Sequence, residues 1–166
     1  APEVALMRKF RKMYASQPDR YITADLESPL ADMHFDVQQI PMGDGEVDTI
    51  ICNHMLEHVE DDSKALRELY RILRPNGWAV ILSPVDLERE RTFEDDTITD
   101  AKERTRIFGQ YDHRRIYGRD YVERLAAVGF EVYDIPYKEE FSQKEQELYA
   151  LPDEHLYVVR KPLNDR

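Results

Sequence analysis

The sequence predicts an open α/β sheet that is covered by helices. Segments of strand type alternate along the chain with amphipathic segments of helix type, as they do in α/β folds. The segments Val47–Cys52 and Trp78–Leu82 are apolar almost throughout, so both faces of each strand are expected to be buried. Ligands of such sheets bind beyond the carboxyl ends of the strands. Those ends are predicted at Asp25, Asp36, Asn53–His54 and Ser83–Pro84.

The first part of the chain predicts one helix and three strands. Glu3–Met13 carries apolar residues at helical spacing. The strands are predicted at Tyr21–Leu26, Met33–Val37 and Val47–Cys52, and a turn rich in glycine and acidic residues, Met42–Glu46, precedes the last of them.

The clearest helix of the sequence follows the third strand. Asp61 or Asp62 can accept hydrogen bonds from the free N–H groups of its first turn. Its apolar residues fall on one stripe: Ala65, Leu66, Leu69, Tyr70, Ile72 and Leu73. The segment Pro75–Gly77 is predicted to end the helix before the strand Trp78–Leu82.

The second half of the chain begins with a highly charged segment. From Glu88 to Arg106, 12 of 19 residues are charged, which indicates a solvated surface segment, and a helix over Asp100–Phe108 is predicted to end at Gly109. Two helices, Arg119–Val128 and Glu139–Leu151, and two strands, Phe130–Pro136 and His155–Lys161, are predicted after it.

Composition limits the classes of function. The 166 residues suit a single domain over 1–166, with a charged insertion at about 86–117. The net charge of −11 argues against a nucleic-acid or anionic-membrane binder. No apolar run approaches the ~20 residues that span a bilayer. Cys52 is the only cysteine, so no intrachain disulfide is possible, and a cytoplasmic domain is expected.

A short motif, His54-Met55-Leu56-Glu57-His58, has the H-x-x-E-H spacing of inverted zinc proteases. In those enzymes two histidines on one helical face bind the metal and the glutamate acts as base. Here the motif directly follows a predicted strand, and the acidic residues after it begin a separate helix. We therefore expect no metal at this motif and keep a zinc-dependent hydrolase as a minor alternative.

An ordered series of motifs resembles the class I S-adenosylmethionine-dependent methyltransferases of small-molecule type. The residues that carry the resemblance are Asp36–Pro41, Val47–Ile50, Leu56–Val59, Leu69–Gly77 and Val128–Val132. The glycine pair of the family stands here as Asn76–Gly77, and asparagine also tolerates a left-handed turn. The resemblance implies a Rossmann-like, mostly parallel sheet with an antiparallel C-terminal strand.

The same resemblance implies roles for individual residues and S-adenosylmethionine as cofactor. It implies that Asp25, with Leu26 beside it, accepts hydrogen bonds from the ribose diol of the cofactor. It also implies that Asp36 accepts from the adenine amino group and that the Val37 backbone lies beside the adenine ring. Asn53 and His54 are implied near the methionine moiety. His58 and His54 are the candidate bases. The substrate contacts are implied in the segment before the last major helix, at Tyr111, His113, Arg114 and Tyr117.

The family has a first strand and a glycine-rich loop that this sequence lacks. The sequence begins with Ala1-Pro2-Glu3 directly before a helix, so we expect a fragment of a longer chain. This leaves two hypotheses open: a methyltransferase with an unidentified, small acceptor, and a non-catalytic binding module of methyltransferase type.

Overall fold

The computed structural model describes residues 3–163, which fall into two compact units that divide between Pro41 and Met42. The N-terminal unit ends at Pro41, and the C-terminal unit begins at Met42. Residues 1–2 and 164–166 lie outside the described residues. A single domain over 1–166 stays a prediction. Within residues 3–163, no helix is both long and apolar enough to cross a membrane.

The N-terminal unit contains the first helix and a small parallel pair of strands. Helix α1 spans Val4–Met13, and a short 3-10 helix follows at Pro18–Arg20. Strand β1, Ala24–Asp25, pairs in parallel with β2, Met33–His34. The helix prediction is confirmed, and both strands form within their predicted segments but are only two residues long. Each strand is followed closely by an acidic residue whose side chain accepts hydrogen bonds from the next backbone turn.

The C-terminal unit contains the main sheet. In chain order its described helices and strands are β3 (Val47–Asn53), α2 (Asp62–Ile72), β4 (Leu73–Leu82), β5 (Phe93–Glu94), α3 (Ala101–Phe108), β6 (Arg115–Ile116), α4 (Tyr121–Ala127), β7 (Glu131–Ile135), α5 (Gln143–Leu148) and β8 (Leu156–Arg160). The four-stranded sheet has the order β3-β4-β8-β7. Strands β3, β4 and β7 run in one direction and β8 runs opposite to its two neighbours. The predicted fold class, with an antiparallel C-terminal strand, is confirmed.

The register of β3 and β4 places their carboxyl ends at the same edge. Ile50 pairs with Ala79, and Asn53 pairs with Leu82. A ligand at this edge would therefore meet the residues that follow both strands.

Helix α2 begins as predicted but ends earlier. The Asp61 side chain accepts a hydrogen bond from the Lys64 N–H at 2.8 Å, and the helix buries one apolar face. The prediction that Pro75–Gly77 ends the helix was wrong, because α2 ends at Ile72 and β4 begins at Leu73. Residues 73–77 are already part of the sheet, because Leu73 pairs with Val47 of β3 and because Asn76 and Gly77 form backbone hydrogen bonds with Lys161.

The segment after α2 contains a sharp local turn at Asn76. Asn76 has φ 63°, the left-handed conformation that asparagine tolerates better than most residues. Its N–H donates to the Lys161 carbonyl, and the Lys161 N–H donates to the Gly77 carbonyl, each at 2.9 Å. A Cβ on Gly77 would lie 2.9 Å from the Arg74 carbonyl oxygen and 3.0 Å from that of Asp48, so only glycine fits there.

The charged segment contains ordered structure. Strands β5 and β6 form an antiparallel pair, and α3 lies between them along the chain. The helix prediction at Asp100–Phe108 is confirmed: the Asp100 side chain accepts from the N–H groups of Lys102 and Glu103, and Gly109 ends the helix at φ 87°.

Candidate functional site

The edge where β3 and β4 end contains two predicted site residues, Asn53 and His54. Asn53 is the last residue of β3. His54 follows in the left-handed region at φ 49°, and its N–H donates to the Leu82 carbonyl at 2.8 Å. The His54 side chain is 52% exposed and lines a cleft. The other lining residues are Leu82, Ser83, Val85, Leu87, Glu154, His155 and Tyr157.

The H-x-x-E-H motif forms a turn between β3 and α2. Because residues 54–60 are not helical, the two histidines do not share a helical face as zinc proteases require. Leu56 is fully buried, as expected for the residue that anchors the turn. Glu57 is only 2% exposed, and its Oε2 accepts a hydrogen bond from Ser83 Oγ at 3.0 Å. The turn therefore carries a buried carboxylate directly beside the end of β4.

A buried arginine fixes this turn. Arg115 is 3% exposed, and its guanidinium donates to the carbonyls of Leu56 at 2.6 Å, Val59 at 2.8 Å and Glu60 at 3.0 Å. The neighbouring Arg114 backbone N–H donates to the Glu57 carbonyl at 2.9 Å. The segment before β6 is thereby held against the turn that follows β3.

This arrangement brings two predicted histidines together. The rings of His58 and His113 lie edge to face with centroids 4.7 Å apart. His58 Nε2 lies 3.9 Å from Glu57 Oε1, and His58 Nδ1 lies 3.2 Å from Asp112 Oδ2. His54 Nδ1 lies 3.7 Å from the same Glu57 oxygen. Three imidazoles thus surround one buried carboxylate.

Tyr117, a predicted substrate contact, lies in the core of the C-terminal unit. It is fully buried, and its hydroxyl donates to Asp62 Oδ2 at 2.9 Å. Burial, together with the Asp62 carboxylate, raises the pKa of Tyr117, so its hydroxyl stays protonated. Its ring packs against Tyr121, whose hydroxyl donates to the Ile81 carbonyl. Tyr117 therefore has a packing role in this structure.

A charged network extends from Asp62. Arg124 donates to Asp62 Oδ2 at 2.8 Å and to Glu94 Oε1 at 2.6 Å, and Arg115 donates to Glu94 Oε2 at 3.0 Å. Although burial acts to raise the pKa of Glu94, the hydrogen bonds from Arg124 and Arg115 lower it below its usual range. Glu94 is therefore ionised at neutral pH and links β5 to β6 and α4.

The two remaining predicted substrate contacts differ in exposure. Tyr111 is 63% exposed, whereas Arg114 is half-buried.

Cys52 is buried near the site. Burial, assisted by the Glu57 carboxylate, raises the pKa of the Cys52 thiol to about 12, so this thiol is no nucleophile at neutral pH.

The N-terminal unit carries the other predicted cofactor residues. Asp25 ends β1, and its Oδ1 accepts from the N–H groups of Glu27 at 2.9 Å and Ser28 at 2.7 Å. Asp36 follows β2, and its Oδ1 accepts from the Gln38 N–H at 2.8 Å. Because β1 and β2 are parallel, the two acids follow the same edge of their sheet. Beside them Leu26 is 62% exposed and Val37 is half-buried.

Sequence reasoning missed the partners of the turn after β3. Ser83 was recognised as a strand end, but its hydrogen bond to Glu57 was not foreseen. Arg115 was not named as a site residue, and nothing in the local sequence distinguishes it from Arg114, which was. Adjacent residues of a strand point to opposite faces, so the position of β6 is needed to distinguish a buried arginine from an exposed one.

The first half of the chain is similar to methyltransferase sequences. The family described as "Methyltransferase domain" matches residues 4–81. A "probable S-adenosylmethionine-dependent methyltransferase" of Mycolicibacterium smegmatis is 26% identical over 101 residues, which cover 61% of this chain and 35% of the relative. Residues 4–81 of this chain are therefore similar to the methyltransferase-domain family.

Solved methyltransferase structures share the fold of this chain. An S-adenosylmethionine-dependent methyltransferase from Mesorhizobium loti superposes with a TM-score of 0.57 at 16% identity, covering 92% of this chain and 85% of that one. The 1,6-didemethyltoxoflavin-N1-methyltransferase of Burkholderia thailandensis superposes with a TM-score of 0.54 at 17% identity, covering 92% of this chain and 65% of that one. The chain spans about a third of the length of its curated Mycolicibacterium relative.

Proposed function

We propose that this chain carries the cofactor site and part of the acceptor site of an S-adenosylmethionine-dependent methyltransferase that acts on a small molecule. One observation carries the proposal: the family match over residues 4–81 contains all six predicted cofactor residues. They are Asp25, Leu26, Asp36, Val37, Asn53 and His54.

The chemistry of the two acids in the N-terminal unit supports this cofactor. Carboxylates are hydrogen-bond acceptors, and a ribose diol and an adenine amino group both offer donors. The backbone N–H groups of Glu27 and Ser28 hold the Asp25 carboxylate, and that of Gln38 holds Asp36. Both acceptors are therefore oriented before any ligand binds, which lowers the entropy cost of binding.

The edge of the main sheet supports a methyl acceptor near His54. Methyl transfer requires mainly that the acceptor lies in line with the methyl group, which the cofactor supplies as a sulfonium. His54 lines the cleft beyond β3 and β4, His58 lies on the same turn, and His113 contacts His58 from the segment before β6. A histidine there could remove the proton of a hydroxyl acceptor at neutral pH. The Burkholderia neighbour, solved with S-adenosylhomocysteine and 1,6-didemethyltoxoflavin, holds a small acceptor on this fold.

Isothermal titration calorimetry with S-adenosylhomocysteine tests the proposal. We expect the chain to bind one equivalent. Asp25→Ala and Asp36→Ala should each weaken binding by about 10–100-fold, because a hydrogen bond to a charged group contributes roughly 1.5–3 kcal/mol.

Asp19→Ala is the matched control, since Asp19 is an exposed acid of the same unit outside the predicted site. The affinity of Asp19→Ala for S-adenosylhomocysteine should equal that of the wild type. Absence of binding, or equal affinities in all three variants, would contradict the proposal and favour a non-catalytic binding module.

A further inference from the structure

Glu57 presents a buried carboxylate oxygen to a group of imidazoles. An ionised carboxylate loses several kcal/mol of hydration free energy on burial unless it is paired. Ser83 Oγ donates to Oε2. Oε1 instead faces His54 Nδ1 at 3.7 Å and His58 Nε2 at 3.9 Å, distances too long for hydrogen bonds. A cation placed between these groups would complete the coordination of this oxygen.

His58, on this turn, and His113, just before β6, each have one ring nitrogen beside an oxygen atom. A metal-binding histidine generally uses its other ring nitrogen to contact a carboxylate or a backbone carbonyl. His58 Nδ1 lies 3.2 Å from Asp112 Oδ2 but makes no hydrogen bond in this structure, and its Nε2 lies 3.9 Å from Glu57 Oε1. His113 Nδ1 lies 3.2 Å from the Phe108 carbonyl, with which it hydrogen bonds, and this leaves its Nε2 available.

The backbone that carries these side chains is fixed from both sides. Arg115 binds three carbonyls of the turn, and the Arg114 N–H binds the Glu57 carbonyl. His113 directly precedes these two arginines, so its position relative to Glu57 and His58 is set by the buried Arg115. A site on such a support is preorganised rather than assembled from mobile loops.

We propose that Glu57, His58 and His113 bind one divalent first-row transition cation, with Asp112 orienting His58. One ligand atom from each of the three residues lies within 4.8 Å of the others. An ion at about 2.0–2.2 Å from each ligand requires only a modest approach of the side chains. Two imidazoles and one carboxylate favour Zn²⁺, Fe²⁺ or Co²⁺ over Mg²⁺ and Ca²⁺, which prefer oxygen ligands. This ligand set differs from the zinc-protease pair, since Glu57 is a ligand and His113 replaces His54.

The site stands independently of methyl transfer, so metal binding by the chain is measured directly. Chelator-treated protein without an affinity tag is titrated with Co²⁺, and the visible absorption of the bound ion is followed; Zn²⁺ then competes. We expect one ion per chain and no competition from Mg²⁺. His58→Ala and His113→Ala should each weaken Co²⁺ binding more than tenfold, and Asp112→Asn by about 10–100-fold.

His34→Ala serves as the matched control, because His34 is exposed on β2, outside the cluster. Its Co²⁺ affinity should equal that of the wild type, and circular dichroism verifies that each variant is folded. The proposal is overturned if the wild type binds no Co²⁺ or Zn²⁺, or if folded His58→Ala and His113→Ala both bind as the wild type does. A failure of S-adenosylhomocysteine binding would leave this result unchanged.

Discussion

Two buried charges, Arg115 and Glu57, define the turn after β3 at the scale of single residues. Arg115 uses its guanidinium to bind three backbone carbonyls and the Glu94 carboxylate, so four of its five N–H donors make hydrogen bonds. Glu57 is bound on one oxygen by Ser83 and faces imidazoles on the other. The turn therefore depends on polar contacts that an apolar residue cannot replace.

Replacing Arg115 by methionine should be strongly destabilising. Arg115→Met keeps most of the buried stem but leaves the carbonyls of Leu56, Val59 and Glu60 without their donor. We expect the free energy of unfolding to fall by about 3–5 kcal/mol, which is typical when one partner of a buried charged network is removed. Urea denaturation followed by circular dichroism measures the change.

Arg119→Met is the control for that measurement. Arg119 is 57% exposed and lies 3.7 Å from the exposed Glu90, so its loss should change stability by less than about 1 kcal/mol. If Arg115→Met were as stable as Arg119→Met, the structural role given to Arg115 would be wrong.

At the scale of elements, the connection from α2 to β4 shows how one backbone conformation sets a boundary. The helix ends at Ile72, and the chain passes through the left-handed Asn76 before pairing fully with β3. Two hydrogen bonds with Lys161 join this turn to the residue just after β8. The Asn76–Gly77 pair does not end the helix, but Asn76 adopts the left-handed conformation that the sequence predicted it would tolerate.

Substitutions at Asn76 should separate backbone conformation from side-chain chemistry. Asn76→Ala forces a Cβ-bearing residue without a helpful side chain into φ 63°, and we expect a loss of about 1 kcal/mol. Asn76→Gly relieves the steric cost and should be equal to or more stable than Asn76→Ala. Thermal denaturation of the wild type and the two variants gives the order of their stabilities. A higher stability of Asn76→Ala than of Asn76→Gly would contradict this prediction.

The H-x-x-E-H motif illustrates the limit of short motifs at the same scale. Its spacing alone suits a metal-binding helix, but β3 ends immediately before it, and α2 begins only at Asp62 with its own N-cap, Asp61. The segment between these elements forms a turn, which Arg115 holds through the carbonyls of Leu56, Val59 and Glu60. The neighbours of a motif therefore decided its conformation.

At the scale of the whole molecule, hydrophobic periodicity predicted most of the fold. The apolar runs at Val47–Cys52 and Trp78–Leu82 became paired parallel strands, and the stripe through Leu66 and Leu69 became the buried face of α2. Periodicity could not give the ends of elements, because hydrogen bonds such as that from Lys161 to Gly77 join residues far apart in sequence. The predicted helix at Glu139–Leu151 shortened to α5, Gln143–Leu148, for which the Ser142–Glu145 capping box defines the start.

The candidate site was less predictable than the fold. His58 and His113 were each named, but 54 positions separate them, and only the folded chain brings their rings to 4.7 Å. Tyr117 was predicted to contact substrate, yet it lies in the core, where its ring packs against Tyr121 of α4 and its hydroxyl donates to Asp62 of α2. Burial of this kind depends on tertiary packing, which a single sequence does not encode in any local pattern.

The central claim is that the cofactor binds to the residues that follow β1, β2 and β3. A titration of the isotope-labelled chain with S-adenosylhomocysteine, followed by two-dimensional amide NMR, tests it directly. We predict that the largest shift changes fall on Asp25–Leu26, Asp36–Val37 and Asn53–His54, with little change in α5. Shift changes that were absent, or that clustered in α5 and spared those three pairs, would contradict the claim.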